Sequence, residues 1–229
     1  MVLDKDDQMT NAQYPLPILY SLRHCPYAMR ARIAIFKSKQ AILLRDIKLA
    51  NKPEEMLALS QNKTVPMLVV SESEVIEESI DIMIKMLIDH DPHNLLQPPQ
   101  STLSEMLIII HRYDLQFKEA LNAYRCSKRY QENNVVELRA ACEVFIEELE
   151  QRLTSHRFLM SDCESLLDIA LMPFIRQFSK VERQWYQKSP YPKLRAWLNS
   201  YLQSPMFTKV MAKHDLWVEC HRDIIWGDI

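Results

Sequence analysis

The chain has 229 residues, 48% hydrophobic and 25% charged, and its 28 Lys and Arg against 30 Asp and Glu leave a formal net charge of −2. That length suits one large globular domain or two modest ones, and so balanced a charge gives no field to draw in nucleic acid or a membrane surface. The single glycine, Gly227, excludes the P-loop, the G-x-G-x-x-G fingerprint and the G-x-S-x-G elbow, each of which needs at least two, and it lies too near the end for an EF-hand loop.

Turns must therefore rest on the 12 prolines and on Asn, Asp and Ser. The opening "MVLDKDDQMT" is acidic and polar, unlike a secretory or transit leader. The strongest apolar run, "MLIII" (106–110), falls far short of the ~20 residues that span a bilayer. Five cysteines (Cys25, Cys126, Cys142, Cys163 and Cys220) form an odd set without a C-x-x-C pair. Such usage argues against a disulfide framework or a zinc cluster and for a reducing, cytoplasmic location.

In chain order, "LPILYS" (16–21) reads as a short strand, and "PYAMRARIAIFKSK" (26–39) as a helix with Pro26 at its first position, where the missing N–H costs nothing. Its Ala28, Ala31 and Ile35 share a face, with Arg30 and Lys37 placed elsewhere. "AILLRDIKL" (41–49) reads as a buried strand, "PEEMLALS" (53–60) as a short helix, and "VPMLVV" (65–70) and "EVI" (74–76) as strands. "SIDIMIKMLIDH" (79–90) returns to helical period before the proline-rich linker "DPHNLLQPPQ" (91–100). The order is βαβαββα, an α/β layer domain over 14–90.

From Ser101 onward the pattern is helical, an all-α domain over 100–229. "STLSEMLIIIHRYDLQFKEALNAYRC" (101–126) is one long amphipathic element and "VVELRAACEVFIEELEQRL" (135–153) another. "SLLDIALMPFIRQF" (165–178) opens on Ser165-x-x-Asp168, a capping-box pattern, and is apolar all round, as befits the buried centre of a bundle. "YPKLRAWLNSYLQS" (191–204) is a surface helix. The basic run "YRCSKRY" (124–130) reads as a solvated helix face. "HDPH" (90–93) reads as a hinge, with no metal site expected.

The chemistry rests on Cys25. A thiolate is the nucleophilic form of cysteine, and the N–H groups and dipole at a helix start favour it. Arg23, His24 and Arg30 stand near enough in sequence to add positive charge. The alternative is an inert cysteine packed beside a turn, and spacing alone leaves both open.

Residues 16 to 90 resemble the thioredoxin-like half of cytosolic glutathione transferases, most closely the cysteine-type members of the omega class and their bacterial relatives. The resemblance lies in "YSLRHCPYAMRARIAI", "NKPEEM", "TVPMLVV" and "EESIDIM", and in the helical half in "SLLDIALMPFIRQF" and "YPKLRAWL…SPMF". It implies a thioredoxin-like domain followed by a helical bundle, with Cys25 as catalytic residue. Glutathione, a co-substrate rather than a cofactor, would be held by Lys52, Val65, the cis-proline Pro66, Glu78 and Ser79. A homodimer is also implied. Tyr20 and Ser21, near where other members carry an activating hydroxyl, are expected to pack and to hydrogen-bond instead. Trp185, Trp197, Trp217, Trp226, Tyr113 and Tyr124 read most simply as core and surface packing, with some of them expected to line the cleft facing Cys25 for a small electrophilic or disulfide substrate.

Ala28 stands where a dithiol motif would place its second cysteine, so the expected chemistry is a monothiol cycle, with thiol transfer or reductive removal of glutathione. Two other readings are conventional conjugation to electrophiles and a non-enzymatic binding protein of the same fold. The chain departs from the family at three glycine positions, now Ser38-Lys39-Gln40, Asn62-Lys63 and Ser161-Asp162-Cys163, where Asn62 and Asp162 can adopt left-handed geometry at modest cost, so the fold is expected to survive.

Overall fold

The β-branched and leucine-rich "ILYS" and "ILLRD" segments form β1 (Ile18–Ser21) and β2 (Ile42–Asp46), parallel and buried along their whole length. Helices covering both faces of a sheet give strands this unalternating character. Between them α1 (Pro26–Ser38) makes the crossover that parallel neighbours require. The short α2 (Glu54–Leu59), β3 (Met67–Ser71), β4 (Glu74–Ile76) and α3 (Ser79–Asp89) complete the βαβαββα order. The computed structural model describes residues 16–60 and 62–227, so the first two residues of the expected domain lie outside the described residues.

The linker residues serve as structure. Asp91 accepts the backbone N–H groups of Leu95 and Leu96 at 2.9 Å each, and His90 Nδ1 donates to the Ser38 carbonyl at 2.6 Å. Beyond it, α4 (Leu103–Arg112) starts with a Thr102–Glu105 capping box and passes through a π-helical turn (Tyr113–Phe117) into α5 (Lys118–Tyr130). There follow α6 (Val135–Ser155), α7 (Leu166–Ser179), α8 (Arg183–Lys188), α9 (Pro192–Leu202), α10 (Pro205–Val210) and α11 (Trp217–Cys220). No helix among the described residues is long and apolar enough to cross a membrane.

The helix α7 is buried almost throughout, as its all-round apolarity requires. Its first turn is organised by Asp168, wholly buried, which accepts from the Ser165 N–H and hydroxyl, the Leu159 N–H and Trp197 Nε1–H at 2.6 to 3.0 Å. Burial pushes its carboxyl up to about 6 despite these four donors.

The two halves share one apolar core running from Leu19 and Met29 to Leu167 and Phe178. A smaller cluster, including Tyr20, Met56 and Met67, fills the other face of the sheet. Across the shared core, Arg30 is fully buried. It donates to both Asp114 carboxylate oxygens at 2.7 and 2.8 Å and to the Ala170 carbonyl at 2.7 Å, with Phe174 stacked on its guanidinium. The expectation that Arg30 adds charge at Cys25 is therefore corrected, since it clamps α1 to the helical half.

The chain end also departs from the helical expectation. A short strand, β5 (Ile224–Trp226), returns to the sheet and pairs antiparallel with β2, giving the order β4-β3-β1-β2-β5. Gly227 makes this possible. Its φ is +116°, and a Cβ there would lie 2.0 Å from the Gln40 carbonyl oxygen. At the glycine positions lost from the family pattern, Lys39 and Lys63 take left-handed φ values of 52° and 53°; Asn62 and Asp162 do not.

Candidate active site

The strand directions bring the expected site residues to one end of the sheet. Because β1 and β2 are parallel, the turn after Ser21 and the loop after Asp46 emerge together, tied by the Ile47 N–H to the Ser21 carbonyl at 2.9 Å. The antiparallel β3 begins at that same end, with Met67 opposite Tyr20. Strand β4 finishes there, since Leu68 pairs with Ile76, and continuing that register sets Pro66 opposite Glu78. Cys25, Val65, Pro66, Glu78 and Ser79 thus lie at one end of the sheet, where the loop that carries Lys52 also begins.

Cys25 is the N-cap of α1, in extended conformation, with its N–H bonded to the Leu22 carbonyl at 3.0 Å and Pro26 following. Its Sγ is half-buried, 3.9 Å from the Val65 carbonyl oxygen. The Val65–Pro66 peptide is cis. Among the described residues no backbone hydrogen bond engages Val65, which leaves a peptide-like edge open beside the sulfur.

Glu78 is exposed at the N-cap of α3, and Ser79 is 3% exposed at its first turn. No protein partner among the described residues takes either side chain. Glu77, by contrast, accepts from Ser60 and Asn62 and braces the loop before Pro66. Lys52 is half-buried in the loop after β2 and makes no ion pair among the described residues.

The nearby hydroxyls have other work. Tyr20 OH accepts from Arg45 at 2.8 Å, and Ser21 Oγ accepts from Arg32. Arg32 is the cation that sequence reading missed. It is 2% exposed, donates also to the Arg23 carbonyl at 2.6 Å, and lies within electrostatic reach of Asp46 and Cys25. Burial lowers its pKa to about 10, so it stays charged at neutral pH. The signal was present, for Arg32 lies seven residues after Cys25, two turns along the same helix face.

The C-terminal segment supports this end of the sheet. Arg45 pairs with Asp223 at 2.7 Å and carries the Trp217 ring 3.8 Å from its guanidinium carbon. Trp217 donates to Glu55 on α2, and Lys48 meets Glu219 at 3.4 Å. The loop bearing Lys52 is thereby held from both ends.

A cavity of about 520 Å³ opens at the start of α1, with His24, Pro26 and Met29 on one side and side chains of α5, α7 and the turn after it on the other; Cys25, between His24 and Pro26, does not itself line it. None of the tryptophans or tyrosines expected in the cleft lines it. They pack elsewhere, as Trp197 on Asp168, Trp217 on Arg45 and Tyr124 on Glu182 show. The run "YRCSKRY", read as a solvated face, instead supplies Arg125, Cys126, Lys128 and Arg129 to the cavity.

Comparison with known proteins agrees with this architecture. Residues 19–95 match the family model of the glutathione S-transferase N-terminal domain, and residues 132–200 that of the C-terminal domain. The chain is 28% identical over 193 residues to human glutathione S-transferase omega-2, spanning 82% of this chain and 76% of the relative. Glutathione transferase Omega 3C from Trametes versicolor superposes with a TM-score of 0.74 at 16% identity, over 90% of this chain and 93% of that one. A glutathione transferase family member from Pseudomonas fluorescens, solved with two glutathione bound, gives 0.74 at 16%, over 88% and 95%. With both domain models matched in order on a thioredoxin-like sheet and a helical bundle, the chain belongs to the glutathione S-transferase family.

Proposed function

We propose that this glutathione transferase is an omega-type thiol transferase that uses Cys25 as its nucleophile and glutathione as co-substrate, without a bound cofactor. The observation that carries the reading is the half-buried Cys25 sulfur at the start of α1, 3.9 Å from the carbonyl of a Val65 whose backbone is otherwise unengaged. The cysteinyl part of glutathione pairs with Val65 ahead of Pro66 as an added strand. Its γ-glutamyl ammonium meets Glu78, its α-carboxylate meets Ser79 and the N–H groups at the start of α3, and its glycyl carboxylate meets Lys52.

In the cycle, the Cys25 thiolate attacks the glutathionyl sulfur of a mixed disulfide. The bond to the second sulfur breaks, and that thiolate leaves and takes a proton. A second glutathione thiolate then attacks the Cys25–glutathione disulfide, forming glutathione disulfide and returning Cys25. Ala28 offers no second thiol, so the resolving thiol comes from solution. Arg32, fixed by Ser21 and the Arg23 carbonyl, supplies a buried positive charge within electrostatic reach of the sulfur.

The relationship to omega-class proteins supports the same reading, together with a homodimeric and cytoplasmic protein acting on small electrophiles or disulfides. The test compares wild type and Cys25→Ala on a glutathione mixed disulfide and on an aryl halide. Loss of at least about a hundredfold on the disulfide is expected. Full disulfide reduction by the variant overturns the mechanism, and retained activity on the aryl halide alone points to conjugation.

A further inference from the structure

The cavity at the start of α1 has a charge composition unlike the rest of the molecule. The chain as a whole carries slightly more acid than base. Yet Arg125, Lys128, Arg129, Arg176 and Lys180 all line this one cavity, with His24, and among the described residues no carboxylate lines it. Of the five cations, Lys128 is paired, with Glu182 at 3.1 Å. The other four make no ion pair among the described residues.

The cations are crowded enough to act on one another. Burial depresses the pKa of His24, and Arg23, Arg176 and Lys180 depress it further. Burial does the same to Lys180, followed by the charges of Arg176 and Arg183. Uncompensated like charges around a concave surface focus a positive potential into it.

We propose that the cavity selects an anionic second substrate, a small disulfide or electrophile whose non-glutathione half bears a carboxylate or phosphate group. This deepens the thiol-transferase reading and rests on it. With glutathione along the sheet end and its sulfur at Cys25, the other half of the molecule occupies the space bounded by His24, α5 and α7. Its anion is held there by charge-assisted hydrogen bonds from Arg176, Lys180 and the α5 arginines. The same cations stabilise the thiolate that leaves when Cys25 takes the glutathionyl sulfur.

Unreactive thioethers test the cavity without calling on the chemistry of Cys25. Calorimetry on the full chain compares S-propylglutathione with its S-(2-carboxyethyl), S-(2-phosphonoethyl) and S-(2-aminoethyl) counterparts. Binding of the better anionic thioether about tenfold tighter than the propyl compound is expected, with the ammonium compound weakest. The tighter of the two anions names the natural group. In an Arg176→Gln/Lys180→Gln double variant the anionic advantage falls to within about twofold while the propyl affinity holds. Arg125→Gln/Arg129→Gln, on the exposed side of α5, lowers the same ratio without disturbing buried α7.

Affinities for both anionic thioethers no tighter than for the propyl compound, or an advantage that survives in both double variants, overturn the proposal. Charge preference without disulfide reduction overturns thiol transfer alone, and disulfide reduction without charge preference overturns anion selection alone. Failure of every thioether to bind overturns both.

Discussion

One wall of the cleft at Cys25 comes from the end of a sheet and the other from two helices, and on the proposed function the two recognise different things. The sheet wall presents backbone at Val65, a buried serine at the start of α3 and an N-capping cysteine, all fixed by strand register. Such groups read the shape and hydrogen-bonding pattern of one peptide-like ligand. The helical wall presents long cationic side chains around an open cavity, which read charge and tolerate shape. A fold that divides labour in this way can keep one co-substrate while its second substrate is set by a few surface arginines and lysines.

Substitutions break or sharpen that contrast. The largest effect is expected at Asp168, which fixes the start of the helix carrying Arg176 and Lys180. Asp168→Ala strands four buried donors and should cost at least about 3 kcal/mol in urea unfolding. Burial holds this carboxyl at about 6 in the folded chain, above its unfolded value, so the folded state binds its proton more tightly. This group's contribution to stability therefore grows as pH falls through 6, and wild type should gain about 1 kcal/mol on Asp168→Asn between roughly pH 7 and 5.

On the sheet wall, Ser79→Ala should weaken glutathione binding about tenfold by calorimetry while leaving the charge preference of the cavity intact. If that preference moved with it, the two walls would not be independent. At the chain end, Trp217→Ala removes the stack on Arg45 and the bond to Glu55. It should raise the KM for glutathione about two- to threefold through the loop holding Lys52, with kcat little changed.

The sheet wall was largely legible in the sequence because its signals are local. A cysteine before a proline-started helix, a T-V-P segment and an acid–serine pair each sit within a few residues of the geometry they make. Arg32 was legible too, had the helix face been followed two turns beyond Cys25. The helical wall was not legible. "YRCSKRY" is polar and exposed in either reading, and only the packing of α5 beside α7 turns it into a lining. The strand β5 escaped because three residues, "IIW", carry no alternation, and its partner Ile42–Leu44 lies at the other end of the chain. Arg30 misled for a similar reason, since its partners Asp114 and Ala170 are long-range.

Whether Cys25 carries the transferred glutathionyl group is decided by mapping the adduct. The protein is exposed to glutathione disulfide, quenched by acid, digested without reductant, and its five cysteine peptides are weighed. A glutathionyl group on the Cys25 peptide that forms first and is removed by added glutathione is expected. An adduct confined to the exposed Cys126 or Cys163, with Cys25 unmodified and reduction still proceeding, would contradict that role for Cys25.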